Sequence, residues 1–153
     1  MVSKEKTTEG GSCQCGAIKI AIKTDRLVSY VCHCLECKKQ SASAFAISVP
    51  LKIAEVTIAG KLSVYTRAAH SGAETSCYFC ENCGTRIYHQ SSNSPERLTL
   101  KGGVLECAKS LNPVAHLWTK RKAEWVELPA TVEAYRGQPD DLTAWRDGIL
   151  SRP

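Results

Sequence analysis

The sequence contains no long hydrophobic run. Its longest uncharged and fairly apolar stretch, SASAFAISVPL, covers residues 41–51, whereas a membrane-spanning helix needs about 20 consecutive apolar residues. The first 22 residues, MVSKEKTTEGGSCQCGAIKIAI, include no apolar segment of the secretory-signal type. We therefore expect a cytoplasmic protein without a membrane partner.

Basic clusters and low-complexity segments are also scarce. The formal net charge is +5, and the one basic cluster is TKRK at 119–122, which falls short of a nucleic-acid-binding surface. We interpret this run as a solvated strand edge and expect no nucleic-acid partner. The mild positive charge fits a small anionic ligand. The length predicts one domain over residues 1–153, large enough for a buried core, and leaves homo-oligomer formation open.

Short strand patterns dominate the chain. AIKIAIK (17–23) and KLSVYTR (61–67) alternate apolar and polar residues with a period of two, which is typical of strands with one buried face. Further strand candidates are 45–50, 56–60, 97–103 and 131–135. Helical patterns are limited to LECKKQSAS (35–43) and DDLTAWRDGILS (140–151), where Asp140 or Asp141 is placed to cap a C-terminal helix over residues 140–150. The sequence predicts a mainly β fold with short helices.

Nine cysteines stand out against this ordinary composition. Their odd number and short spacings favour metal binding over a disulfide framework in a reducing compartment. The motifs CQCG and CENCG each supply two thiolates from a tight turn, and the glycine after each pair permits a positive φ. Together they predict a tetrahedral structural zinc site that staples the N-terminal strand to a late hairpin, with buried unligated cysteines as the alternative. We call these residues the four-cysteine group: Cys13, Cys15, Cys80 and Cys83.

A third motif, CHCLEC, supplies the three-cysteine group, Cys32, Cys34 and Cys37. Three protein ligands with an exchangeable fourth position are typical of catalytic zinc, whereas structural zinc sites close with four ligands. We therefore expect a second zinc ion here, with a catalytic role. The side chain of His33 is expected to point away from the metal. Alternatives are a group without metal, or a site closed by His33, His70, His89, Cys107 or, as the foremost candidate, Cys77.

The ligand type indicates the chemistry. Three thiolates around Zn²⁺ give a formal charge of −1, which makes the ion a weak Lewis acid and a poor generator of hydroxide. Such a site suits a soft fourth ligand, and a zinc-bound thiol is deprotonated. The expected substrate is therefore a small thiol, and glutathione is the abundant anionic thiol of the cytosol.

Each of the aromatic and basic residues discussed next has two interpretations. Trp118 and Trp125 form a wall of a thiol-peptide pocket or cover the sheet. Lys38 and Lys39 attract substrate carboxylates or are solvated helix lysines, and Arg86 is a ligand contact or an edge-strand charge.

The motifs and their surroundings resemble the glutathione-dependent formaldehyde-activating enzyme (GFA) family. The matching segments, in order and with similar spacing, are GGSCQCGAIKI, CHCLECKKQSASAF, GKLSVYT, CYFCENCGTRIYHQ and HLWTKRKAEWVEL, so the resemblance covers about residues 10–135. It implies a GFA-type domain built as a β-tent, a set of folded antiparallel sheets. The family also contains centromere protein V-like domains. Many relatives carry Arg and Gly where this chain has Lys38 and Ala42.

The resemblance also implies roles for the cysteines and an activity. It places a structural zinc in the four-cysteine group and a catalytic zinc in the three-cysteine group. The implied enzyme is a carbon–sulfur lyase of formaldehyde detoxification, which joins glutathione and formaldehyde to give S-(hydroxymethyl)glutathione or handles a related adduct. The alternative is a zinc-stabilised protein-binding module without catalysis, which needs a fourth ligand to close the central site.

Overall fold

The computed structural model describes residues 7–153, so residues 1–6 of the predicted domain lie outside it. In chain order the strands are β1 (Thr7–Ser12), β2 (Lys19–Thr24), β3 (Tyr30–Cys32), β4 (Ala46–Lys52), β5 (Val56–Ala59), β6 (Leu62–Ala68), β7 (Glu74–Cys80), β8 (Arg86–Ser91), β9 (Arg97–Lys101), β10 (Ala115–Leu117) and β11 (Glu133–Ala134). The α-helices are α1 (Leu35–Ser41) and α2 (Leu142–Leu150). Short 3-10 helices cover Ile53–Glu55, Gly102–Val104, Ala108–Ser110 and Thr119–Arg121.

The strands of the described residues form two sheets. The smaller sheet has the antiparallel order β1-β2-β5. The larger sheet has the order β11-β10-β3-β4-β9-β8-β7-β6. Its strands pair antiparallel from β3 to β6, whereas β10 pairs in parallel with β3 and β11. The mainly β fold and the C-terminal helix are therefore confirmed, and the larger sheet is mixed near one edge.

The main core is built from apolar side chains of both sheets. In β2, Ile20 and Ile22 are buried and alternate with exposed residues, as the period-two pattern predicts. They pack in one cluster with Val49, Leu51 and Leu100 of the larger sheet. Each fully buried side chain of this size stabilises the fold by about 1.5–3 kcal/mol.

A second cluster of buried residues surrounds the start of α1. Tyr30 and Leu117 belong to it, and Trp145 of α2 packs against it. The rings of Tyr30 and Trp145 meet edge to face, with centroids 5.9 Å apart. Cys32 and Cys37 are members of the same cluster, so packing fixes the backbone that carries the three-cysteine group.

Helix α2 begins at the residue after Asp141, whose side chain accepts a hydrogen bond from the Ala144 N–H at 2.9 Å. This is the capping position that the sequence predicted for one of two aspartates. The helix is held to the rest of the chain by Arg26, whose guanidinium donates to the Ile149 carbonyl at 2.6 Å.

Several strands are not evident from the sequence pattern. Strand β7 overlaps the cysteine motif CYFCENC, and β3 and β10 have only three residues each. Strand β6 was expected to bury one face, but it forms an edge of the larger sheet and is mostly exposed. An edge strand has a neighbour on one side only, so alternation in its sequence does not ensure burial.

Candidate metal centres and the adjoining cavity

The four-cysteine group comes together where two turns meet. Cys13 and Cys15 lie between β1 and β2, Cys80 ends β7, and Cys83 lies in the turn before β8. All four sulfur atoms lie within 4.8 Å of one another, with Sγ–Sγ distances of 3.5 Å for Cys13–Cys15 and 3.8 Å for Cys15–Cys80. A tetrahedral zinc site with Zn–S bonds of about 2.3 Å separates its sulfurs by about 3.8 Å. The four-cysteine group therefore fits such an ion.

The turns also direct hydrogen bonds to the sulfurs. Gly84 adopts a φ of 74° directly after Cys83, in the left-handed region that glycine enters without strain. The Ile18 N–H donates to Cys13 Sγ at 3.2 Å. The Thr85 hydroxyl lies 3.2 Å from Cys83 Sγ, and hydrogen bonds from its hydroxyl and N–H lower the pKa of Cys83 to about 5. Such donors stabilise thiolates, the form that binds metal.

The three-cysteine group is built on a strand end and a helix start. Cys32 ends β3, Cys34 is the N-cap of α1, and Cys37 lies in its first turn. The Cys37 N–H donates to Cys34 Sγ at 3.3 Å. The three sulfurs lie within 4.8 Å of one another, and no fourth donor from His, Cys, Asp or Glu joins them in the part of the chain that the structure describes.

The thiols of the three-cysteine group differ in pKa. Hydrogen bonds from the thiols of Cys32 and Cys37 lower the pKa of Cys34 to about 2. The same contact with Cys34 raises the pKa of Cys32 well above its ordinary value. A cation that bound all three sulfurs would replace the protons that link them. This donor set therefore fits a soft divalent metal ion such as zinc.

The side chains considered for closing this group lie elsewhere. His33 is fully buried and turns toward His116, with 2.9 Å between His33 Nε2 and His116 Nδ1, so its expected orientation away from the sulfurs agrees with the structure. Cys77 is buried in β7 and pairs with His89 across the sheet. Cys107 packs against the main core. His70 and His89 line the neighbouring cavity without joining the three sulfurs.

The three-cysteine group forms part of the wall of a cavity of about 700 Å³, which we call the larger cavity. This volume is within the range of small-molecule sites. Trp118 lines the cavity, and its indole N–H donates to Gln138 Oε1 at 3.0 Å. Trp125 does not line it and is 74% exposed. Of the two tryptophans, only Trp118 is placed as a pocket wall.

Most of the chain, including both cysteine groups, matches one known protein family. The model of the glutathione-dependent formaldehyde-activating enzyme family matches residues 8–121, about three quarters of the chain. The chain belongs to the GFA family. The match includes both cysteine groups and most of the residues that line the larger cavity.

Solved structures support the fold of this GFA protein. A crystal structure of a Rhodobacter sphaeroides protein superposes with a TM-score of 0.51 at 23% sequence identity, and the match covers 68% of this chain and 91% of that one. No curated protein matched the chain. Among the described residues, no helix is long and apolar enough to cross a membrane.

In this GFA chain, Lys101 was not predicted from the sequence, and His89 was predicted only as a possible fourth ligand of the three-cysteine group. His89 and Lys101, from β8 and β9, line the larger cavity. Burial lowers the pKa of His89, and the positive charges of Lys101 and Arg67 lower it further, to about 3, so its imidazole is neutral near pH 7. The sequence signal was weak, because Lys101 continues the alternation of polar residues and leucines in RLTLK and such a lysine is ordinarily exposed.

Proposed function

We propose that this protein is a zinc-dependent carbon–sulfur lyase of the GFA type that acts on glutathione or a glutathione adduct in the cytoplasm. The proposed reaction is formation of S-(hydroxymethyl)glutathione from formaldehyde, or a related addition to the thiol. The observation that carries the proposal is the three-cysteine group on the wall of a ligand-sized cavity, with no fourth donor among the described residues. A protein-binding module would need that fourth ligand, so the geometry favours the enzyme.

In this proposal the four-cysteine group holds a structural zinc and the three-cysteine group holds a catalytic zinc. Bound by three thiolates, Zn²⁺ supplies a fourth position for a soft ligand and lowers the pKa of a thiol that occupies it. The sulfur distances and the thiolate-stabilising hydrogen bonds described above support this assignment.

The residues of the chain contribute by binding and orientation. The larger cavity confines thiol and aldehyde together, which replaces a random encounter by a fixed geometry. In the addition, the sulfur–carbon bond forms and the carbonyl electron pair moves to oxygen. The oxygen takes up one proton and the thiol releases one, so the reaction needs no oxidant or reductant. The reverse reaction cleaves the same carbon–sulfur bond.

Calorimetric titration of glutathione tests the proposal, using protein shown by metal analysis to carry two zinc ions per chain. We expect binding with release of a proton, detected by repeating the titration in buffers of different ionisation enthalpy. Cys34→Ser should abolish binding, whereas the matched control Cys77→Ser, a buried cysteine outside both groups, should retain it. Carbon-13 NMR of formaldehyde with glutathione should then show faster adduct exchange with the wild type. Absence of binding, or binding that survives Cys34→Ser, would contradict the proposal.

A further inference from the structure

The larger cavity has a strong excess of positive charge. Among the residues that the structure describes, Glu36 supplies the one carboxylate that lines it, and this group already contacts Arg67 Nε at 3.5 Å. The lysines and arginines that line the cavity are Arg67, Arg97, Lys101, Lys120 and Arg121. A cavity of this charge concentrates anions, but surface cations alone do not define a binding site.

Lys101 differs from the other cations because it is buried. The residue is 8% exposed, and its ammonium has no hydrogen-bond partner among the residues that the structure describes. It lies on β9 directly opposite Ser48 of β4, and Ser48 lies opposite Tyr30 of β3. Lys101 is therefore two strands away from the strand that ends in Cys32. A buried ammonium without a hydrogen-bonded anion costs several kcal/mol, so its place in the cavity wall indicates an anionic partner.

Arg86 supplies a second unpartnered cation. Its Nε and Nη2 groups are buried without hydrogen-bond partners among the described residues, and its guanidinium packs over the Phe79 ring at 5.6 Å. Arg86 and Lys101 line a smaller cavity of about 570 Å³, and no carboxylate lines it in the part of the chain described. Gln40 and Lys101 line both cavities. Lys101 therefore lies where the two cavities adjoin.

We propose that Lys101 and Arg86 form an anion subsite, which holds a carboxylate of the substrate while the substrate sulfur lies at the three-cysteine group. The identity of that substrate as a carboxylate-bearing thiol rests on the proposed function. The subsite itself rests on the buried ammonium of Lys101 and on the half-buried guanidinium of Arg86, whose Nε and Nη2 lack hydrogen-bond partners among the described residues. Its role is substrate selection: thiols with a suitably placed carboxylate bind, and neutral thiols bind weakly. The positive charges of Lys101 and Arg86 also act at His89, together with its burial, to lower the pKa of that residue.

A different role for Lys101 makes a distinct prediction. Three thiolates with a divalent cation carry a net charge of −1, and Lys101 would then serve only as the counter-charge of that cluster. In that case its removal would weaken zinc binding rather than substrate selection. The experiment therefore measures zinc content alongside anion preference.

The first part of the experiment needs no glutathione. Four full-length, zinc-loaded proteins are compared: the wild type, Lys101→Met, Lys101→Arg and Lys120→Met. Peptide mass spectrometry follows the alkylation of Cys34 by anionic iodoacetate and by neutral iodoacetamide. Lys120 is the matched control, because it lines the same cavity but is exposed. We expect wild type and Lys120→Met to favour the anionic reagent by about tenfold relative to N-acetylcysteine, the size of one partly screened charge pair. Lys101→Met should lose this preference and Lys101→Arg should keep most of it.

The second part compares glutathione with its diethyl ester by calorimetry on the same proteins. Wild type should bind glutathione at least about tenfold more tightly than the ester, and Lys101→Met should bind both alike. Anion preference in the first part without glutathione binding would support the subsite and contradict the proposed function. Glutathione binding with no dependence on Lys101 in either part would overturn the subsite and leave the proposed function intact.

The unfolding midpoint and the zinc content of Lys101→Met distinguish a role in substrate selection from a purely structural role. Because Lys101→Met removes a buried unpaired charge, we expect its unfolding midpoint without added anions to equal or exceed that of the wild type. Two zinc ions per chain should remain. A variant that unfolds, or that retains only one zinc ion, would show that Lys101 is a structural counter-charge and would overturn the inference.

Discussion

The guanidinium of Arg146 lies 2.8 Å from the Glu55 carboxylate and is almost completely buried. Arg146 belongs to α2, and Glu55 ends the 3-10 helix Ile53–Glu55 that precedes β5. The Thr24 hydroxyl donates to the same carboxylate at 3.0 Å. This ion pair joins the C-terminal helix to the smaller sheet, so its removal tests how strongly the pair holds the helix in place.

Removal of the carboxylate should leave the buried Arg146 with only the more distant carboxylate of Asp147, whose Oδ1 lies 3.9 Å from Arg146 Nη1. We expect Glu55→Gln to lower the free energy of unfolding by about 3–5 kcal/mol, the usual cost of breaking a buried pair. Glu81→Gln is the control, because Glu81 forms an exposed pair with Lys61 and such pairs contribute at most about 1 kcal/mol. Urea unfolding measures both, and similar effects of the two changes would contradict the buried-pair account.

The same pair should make stability depend on acid. Burial acts to raise the pKa of Glu55, but the hydrogen bonds and charge of Arg146 outweigh it and hold that pKa below its ordinary value of 4.5. A carboxylate whose pKa is lower in the folded state contributes stability above its unfolded pKa and loses it as pH falls through the folded pKa. We expect the wild type to lose stability below about pH 4.5 more steeply than Glu55→Gln. Parallel curves for the two proteins would contradict this.

Ala42, the C-cap residue directly after α1, adopts the left-handed conformation, with φ 49° and ψ 41°. A residue with a β-carbon loses about 1–2 kcal/mol in this region relative to its preferred conformation, and glycine does not. We therefore expect Ala42→Gly to raise the free energy of unfolding by about 1 kcal/mol. Ala44→Gly, at a position without positive φ, should instead lower it by about 0.4–1 kcal/mol. Destabilisation by Ala42→Gly would refute the strain.

The two cysteine groups should differ in their effect on stability. We expect Cys80→Ser and Cys37→Ser each to reduce zinc from two ions per chain to one. Cys15 and Cys80 are 65 residues apart, and a cross-link of this span stabilises a fold by about 4 kcal/mol. Cys80→Ser should therefore destabilise the protein by several kcal/mol and Cys37→Ser by much less. Metal analysis with urea unfolding provides the check, and equal losses would count against separate structural and catalytic roles.

Trp118 should report ligand binding by its fluorescence. It lines the larger cavity, whereas Trp125 is exposed outside it. Trp145 does not line the cavity either, so we expect glutathione to change the emission of the wild type, of Trp125→Phe and of Trp145→Phe, but not that of Trp118→Phe. A response that follows Trp125 would show that the ligand binds elsewhere.

The cysteine groups were predictable because short spacing fixes where their sulfurs can go. CxC, CxxC and the glycine after each pair dictate a turn, whatever the rest of the chain does. Helix α2 was predictable for a similar reason, since its cap and pattern are local. The three-cysteine group and α2 need no knowledge of strand pairing, whereas the meeting of the two pairs in the four-cysteine group was predicted from the four ligands that a structural zinc site needs.

The cation-lined side of the larger cavity was not predictable in this way. Lys101, His89 and Arg67 come from β9, β8 and β6, and only the order of the larger sheet brings them to one cavity. That order depends on contacts between residues far apart in the chain, which a single sequence does not reveal. Arg86 was left between two interpretations because its surroundings depend on the same pairing.

The two cysteine groups also differ in when they can form during synthesis. The three-cysteine group spans only six residues, so an emerging chain can chelate a metal ion there before any sheet exists. The four-cysteine group cannot assemble until Cys83 has left the ribosome and β7 has met the turn before β2. Metal bound at the first group before folding stabilises the unfolded chain as well as the native one, whereas metal bound at the second favours the native state alone. Newly made chains should therefore acquire their first ion from the local motif and complete folding with the second.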